Sequence, residues 1–202
     1  GYPSVTPQSA PDLSIENRVM PQSFGLPGEG QLKQLLDGIA RATECGARCV
    51  ALTGLIPSAT SYGAAVRDAC AQAGHLADST TGHATTIAAV VLNLEALLRE
   101  GGRAIENETV MFYGIGSIGL GALQLMLDVL PHPAELRLCD PYRSAQYFTE
   151  LENTLRRDHS FAGEIRVVSS GDGTDLYDAS VIVGGTNVEN GIDVSGFAAG
   201  TL

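Results

Sequence analysis

Three glycines in the run Gly114-Ile115-Gly116-Ser117-Ile118-Gly119 stand between an apolar stretch, Thr109 to Tyr113, and a second one, Leu120 to Leu130. The first stretch reads as a strand and the second as a helix, an order that few folds accommodate. In such a turn the first glycine permits the sharp reversal, the second lets backbone approach a pyrophosphate, and the third lets helix and strand pack closely. The helix start, with Ser117 and Ile118, then offers unpaired N–H groups to an anion. Asp140 ends a second strand, Glu135 to Cys139, near the distance at which an acid accepts ribose hydroxyls.

These residues together predict a dinucleotide site for NAD or NADP. Asp140 favours NAD, because its charge repels a 2′-phosphate. Arg143, three residues on in Asp-Pro-Tyr-Arg, pulls the other way, since a guanidinium pairs readily with phosphate; its alternative is a solvated place in the first turn of a helix. After a further apolar run, Ala179 to Val183, come Gly184-Gly185-Thr186-Asn187. Small residues there leave room for a nicotinamide ring, and Thr186 and Asn187 are placed to hydrogen-bond its carboxamide.

The pattern around the turn alternates: strand 109–113, helix 117–130, strand 135–140, helix 143–157, then strands 165–169 and 179–184. Alternation of this kind implies an α/β fold, a Rossmann-type doubly wound parallel sheet with helices on both faces. Upstream, leucines at helical spacing from Leu32 to Ile39, a strand over 49–53 and a helix over 61–73 form a small α/β unit behind a loop-rich start with one strand near Ile15 to Met20. A helix from about Thr80 to Arg99 follows, stopped by Gly101-Gly102. The expected organisation is a substrate half over 1–79, a connecting helix over 80–102, and a dinucleotide-binding domain over 103–202. The chain opens at glycine rather than methionine and stops where another strand is starting, as expected of a fragment or an ordered subset, with the last domain incomplete at its C-terminus.

A formal charge of −11 over 202 residues opposes unspecific binding to nucleic acid or anionic membrane. No apolar run is long enough to span a bilayer. Cys45, Cys49, Cys70 and Cys139 form no C-x-x-C pair, so neither a zinc site nor a disulfide framework is expected, and each reads best as a small buried hydrophobe. Free thiols beside a nucleotide-enzyme pattern fit a reducing cytoplasm. Helix 85–98 has an apolar face whose partner is either its own domain or a second subunit of a homo-oligomer.

Candidates for proton chemistry come from the segment Thr80-Thr81-Gly82-His83. A hydroxyl-rich helix start can point into a cleft between domains, and Thr81 or the imidazole of His83 is suited to polarise a carbonyl being reduced. Capping of the helix is the alternative for the hydroxyls. Lys33 is a second proton-donor candidate if buried. His75, His132 and His159 fall in loop or surface contexts and lack metal-ligand spacing, and no metal site is expected.

The segment Cys49-Val50-Ala51-Leu52-Thr53-Gly54-Leu55, then Thr80-Thr81-Gly82-His83, a long helix and Val110 to Gly119, resembles the cyanobacterial long-chain acyl-acyl carrier protein reductases over roughly residues 30 to 200. The resemblance implies a nicotinamide-dependent reductase that takes a carrier-bound acyl thioester to an aldehyde through an acyl cysteine. Two departures stand out: His83 where that family has Asn, and Asp140 where an NADPH user shows a basic or neutral residue. The family's nucleophilic cysteine lies beyond the nucleotide domain, so none of the four cysteines here inherits its role. A more distant likeness, of architecture alone, is to the shikimate dehydrogenase and glutamyl-transfer-RNA reductase group. That likeness implies reversible hydride transfer at a ketone or alcohol without a covalent intermediate, as in a dehydrogenase of a small hydroxy or keto acid. A third class remains open, a nucleotide-binding or partner-binding protein without chemistry.

Overall fold

The computed structural model describes residues 29–54, 56–74, 77–169, 177–186 and 193–202. The strand expected near Ile15 to Met20 lies outside them. The chain divides into two compact units, with the break between Ser79 and Thr80.

In the first unit, α1 (Glu29–Glu44) precedes β1 (Cys49–Ala51), α2 (Ile56–Ala59) and α3 (Ala64–Ala73). Ile39, Leu52 and Val66 are buried together, with Leu32, Leu35, Val50 and Cys70 against them. Strand β1 pairs with β2 (Asp78–Thr80), a strand that carries no apolar pattern and that the sequence reading did not anticipate. The helix expected over 61–73 begins three residues later. Ser61, Tyr62 and Gly63 all adopt positive φ, which no right-handed helix contains. The buried Thr60 anchors this left-handed turn: its hydroxyl donates to the Ile56 carbonyl at 2.7 Å and accepts from Gly63 N–H at 3.2 Å.

The second unit opens with α4 (His83–Glu100), followed by β3 (Thr109–Tyr113), α5 (Ser117–Val129), β4 (Glu135–Cys139), α6 (Ala145–Asp158), β5 (Glu164–Val167) and β6 (Val181–Gly184). The four strands are parallel and lie in the order β5-β4-β3-β6. Counted from β3 this is the order 3-2-1-4 of a Rossmann-type α/β sheet. The central strand β3 reads as an apolar run because both its faces are covered, whereas β5 at the edge is largely exposed. On one face Val110, Phe112, Leu136, Leu138 and Val181 share a core with residues of α4, α5 and α6. On the other, Met111, Tyr113 and Cys139 pack with Val168, Ala179 and Tyr177. Helix α4 thus contributes Val91, Leu94 and Leu98 to the same core as the sheet. Leu202 adds one bridge to the outer edge of β6: Ile182 N–H donates to the Leu202 carbonyl and Leu202 N–H to the Ser180 carbonyl.

At the amino end of the sheet a polar clasp joins β3 to the segment before β6. Arg103 donates to both carboxylate oxygens of the buried Glu108, with Nε at 2.9 Å from Oε1. Ser180 Oγ donates to Glu108 Oε2 at 2.6 Å and accepts from Thr109 N–H at 3.0 Å. The Arg103 hydrogen bonds hold the Glu108 carboxyl below its ordinary value of 4.5, against the upward push of burial. A depressed carboxyl stabilises the folded state above the unfolded value, and that contribution is lost as pH falls through the folded one. The melting temperature therefore drops once pH passes below 4.5. Thermal melts at stepped pH should show a smaller acid drop for Glu108→Gln than for the parent, with the variant less stable at pH 7.

Candidate functional site

The order of strands reverses between β3 and β6, and ligands of open α/β sheets settle at the carboxyl edge of such a reversal. There the chain leaving β3 turns through Gly114 at φ +91°. Gly114 N–H donates to the Cys139 carbonyl at 2.7 Å, and Gly185 N–H to the Tyr113 carbonyl at 2.8 Å. The turn is thus stapled to β4 on one side and to the segment after β6 on the other. Three glycines make the crossing possible. A Cβ on Gly114 would meet the Gly185 carbonyl carbon and oxygen at 2.8 Å, and one on Gly119 would lie 2.0 Å from the Gly114 oxygen. Gly185 has the Gly114 oxygen and Gly119 backbone within 3.3 Å of its own Cβ position.

Gly116 is different. It is the N-cap of α5 at φ −76° and ψ −169°, extended backbone that any residue adopts. No atom lies within 4 Å of where its Cβ would stand. It supplies no side-chain cap, so the first N–H groups of α5 lack the partner that a Ser or Asp would give. No acidic residue occupies the first turn.

Asp140, half-buried, closes the next wall. Its Oδ2 accepts from Ile115 N–H at 2.8 Å and its Oδ1 from Tyr142 N–H at 2.9 Å. The carboxylate therefore ties the glycine turn to the segment after β4, a task that its spacing in the sequence did not reveal. Each oxygen keeps a second lone pair for a ligand hydroxyl. Arg143 is exposed and stands before α6, whose N-cap is Ser144, so it is not part of the helix as one sequence reading had it. Its guanidinium lies 4.6 Å from the Tyr147 ring centroid, and Nη2 donates to the Ile115 carbonyl at 3.4 Å.

A cleft of about 230 Å³ is lined by Gly114, Gly116, Asp140 to Arg143, Gly185 and Thr186. That is smaller than pockets that enclose a whole drug-sized ligand, and suits one part of a long one. Five predicted residues, Gly114, Gly116, Asp140, Arg143 and Thr186, thus share one wall. Gly119 sits buried behind it, and Ser117 and Ile118 form the first turn of α5 without lining it. Asn187 lies outside the described residues. Tyr142 was not foreseen as a site residue, and Gly185 was expected only to leave room for a nicotinamide ring, not to pack against the glycine turn. The glycine after a strand was the available signal for one, and the Tyr beside Asp140 for the other.

The remaining candidates stand elsewhere. Ile87 of α4 packs over Gly121 of α5, and α4 is followed by β3 at the amino edge, so α4 starts at the same end of the unit as the cleft. Thr81 and His83, both half-buried there, do not line the cleft. Thr80 is the last residue of β2 rather than a helix start, and Gly82, at φ +65°, is the N-cap of α4. The Thr81 hydroxyl accepts from His83 N–H at 3.3 Å, which closes the turn into the helix. Lys33 is exposed on α1 of the first unit, where the burial that a proton-donating lysine needs is absent.

The expectation of four buried cysteines is corrected: Cys45 and Cys49 are exposed and Cys70 half-buried, and only Cys139 is buried among them. Burial, aided by the Asp140 charge, pushes the Cys139 thiol up to about 11, so it stays protonated at neutral pH. His132 and His159 lie in loops, and each has a partner there. His159 Nδ1 pairs with Asp128 Oδ1 at 2.6 Å, and the His132 ring packs at a tilt against Phe161; His75 is outside the described residues. Among the described residues no group of His, Cys, Asp and Glu is placed to hold a metal, and no helix is long and apolar enough to cross a membrane.

No protein-family model and no curated protein matches the chain. Solved structures similar to it include a shikimate 5-dehydrogenase from Listeria monocytogenes in complex with shikimate and NAD, at 15% identity and a TM-score of 0.36, covering 57% of this chain and 37% of that one. Another is an Ael1 enzyme from Pseudomonas putida, at 18% identity and a TM-score of 0.33, covering 56% of this chain and 35% of that one. The chain spans little more than a third of the length of these structures.

Proposed function

We propose that the cleft holds NAD or NADP and that the protein is an NAD(P)-dependent oxidoreductase. The observation that carries this reading is Gly116: its backbone suits any residue, nothing in the protein crowds it, and a side chain there would project into the space that the cleft offers a ligand. The uncapped start of α5 takes the pyrophosphate through backbone N–H groups. Asp140 receives the adenosine ribose on its unused lone pairs, and Thr186, with Asn187, faces the nicotinamide. Bound nicotinamide supplies the hydride. His83 or the Thr81 hydroxyl polarises the substrate oxygen.

The substrate class follows from the resemblance described above: a carrier-bound acyl thioester or an aldehyde in a biosynthetic route. Direct transfer to a small hydroxy or keto acid is the alternative reading, and it needs no nucleophilic cysteine. Cys139, the cysteine nearest the cleft in the chain, is buried and protonated, and offers no nucleophile for an acyl-enzyme. Titration with NADH and NADPH by calorimetry tests the cofactor, and turnover after alkylation of accessible thiols tests the route. Binding with turnover that survives alkylation supports direct transfer. If turnover of an acyl thioester stops on alkylation, an acyl cysteine is on the path. If neither dinucleotide binds, the oxidoreductase reading is abandoned.

A further inference from the structure

We infer that Tyr147 is a positioning residue that holds Arg143 as a receptor for the ribose 2′-phosphate, and so tunes the cleft towards NADP over NAD; this rests on the reading of the cleft as a dinucleotide site. Asp140 is the residue expected to refuse that phosphate. Both its oxygens, however, accept backbone N–H groups, from Ile115 and Tyr142, which draws its charge into the turn and partly neutralises it. Arg143 follows three residues on and lines the same cleft. Its guanidinium has five N–H donors. Among the described residues its one hydrogen bond is the 3.4 Å contact with the Ile115 carbonyl, and no carboxylate is paired with it.

A long flexible cation gains affinity for a phosphate when its position is fixed beforehand. Two features of α6 fix it here. The Tyr147 ring lies under the guanidinium at 4.6 Å, and the Tyr147 hydroxyl reaches the same Ile115 carbonyl at 3.5 Å. Tyr147 itself is held in place: its N–H donates to the Ser144 hydroxyl that caps the helix, and its ring packs edge-on to the buried Phe148. The guanidinium over the Tyr147 ring thus lines the same cleft as Asp140, with most of its N–H donors left for a phosphate.

The test is calorimetric titration of the whole chain with NADPH and NADH, in the parent, Arg143→Ala, Tyr147→Leu and Tyr147→Phe, with thermal melts of each. The parent should prefer NADPH. Arg143→Ala should cut the NADPH to NADH affinity ratio by about tenfold, the scale of a lost charge-assisted contact. Tyr147→Leu should cut it by about three- to fivefold, the scale of a stacked cation. Tyr147→Phe keeps the ring and should keep most of the ratio, whereas a merely structural role for the side chain would lower the melting temperature of Tyr147→Leu and weaken both dinucleotides alike, with the ratio unmoved. A parent that binds both dinucleotides with a ratio unmoved by Tyr147→Leu overturns this inference and leaves the dinucleotide reading standing. Equal loss of both affinities in Arg143→Ala likewise overturns it, and assigns the guanidinium to the adenine face instead. A parent that binds neither overturns the dinucleotide reading and this inference with it.

Discussion

Gly119→Ala should destabilise the second unit by about 3 kcal/mol or more, at the upper end of what overpacking a tight site costs. The added methyl would lie 2.0 Å from the Gly114 oxygen, a backbone atom. Relief would require the turn to move, and it is fixed on both sides: Gly114 N–H is bound to the Cys139 carbonyl, and Gly185 passes directly against Gly114. For a unit of this size such a loss lowers the melting temperature by roughly 10 °C. Gly121→Ala is the comparison that isolates the cause. Its Cβ would meet the Ile87 Cδ1 atom at 2.3 Å, the far end of a flexible side chain that can rotate away. Calorimetric melts should therefore show a large drop for the first variant and a small one for the second. Equal melting temperatures for Gly119→Ala and the parent would mean that the glycine crossing is not packed as described.

Gly116→Val should do the reverse. The backbone at this position is extended, the conformation that a β-branched residue prefers, and open space surrounds the new side chain. The melting temperature should stay within a few degrees of the parent, since the new Cβ meets no protein atom and the substitution costs only about 1 kcal/mol of cap preference. Dinucleotide affinity should fall by about a hundredfold or more, because the valine stands between a pyrophosphate and the N–H groups of α5. Two charge-assisted hydrogen bonds lost at about 1.5 kcal/mol each give that factor. Two glycines three residues apart are thus expected to fail differently, one in stability and one in binding. Retention of affinity in Gly116→Val would show that no ligand approaches the turn there, and would remove the main support for the proposed cofactor.

Much of this arrangement was legible in the sequence because it is local. Thr109 to Tyr113, the glycine turn, α5, β4 and Asp140 follow one another in the chain, and each carries its own signal: an apolar run, a helical period, a terminal acid. What could not be read depends on contacts between distant segments. Gly185 is an ordinary loop glycine until β6 is set beside β3 and brings it onto Gly114. Asp140 has the spacing of a ribose ligand, yet its hydrogen bonds to Ile115 and Tyr142 exist only once the turn folds over it. Asp78 to Thr80 is too short and polar to show a strand period, and the left-handed Ser61 and Tyr62 defeat a helical reading that their neighbours support. Arg143 was visible as a charge near the site, whereas its seat on Tyr147 was not, since that pairing crosses a helix cap.

The pairing of β3 with β6 has a kinetic consequence. Thr109 bonds Ser180 across 71 residues of chain, whereas β3 meets β4 across 26. Closing the longer loop costs more entropy before any contact rewards it, so the shorter pairing has the head start in refolding. A chain that has formed β3, α5 and β4 already owns the glycine turn but lacks the wall that Gly185 and Thr186 supply. Under the proposed reading of the cleft, competence to hold a ligand therefore arrives with the last strand rather than with the motif, so nucleotide capture should follow folding instead of guiding its start.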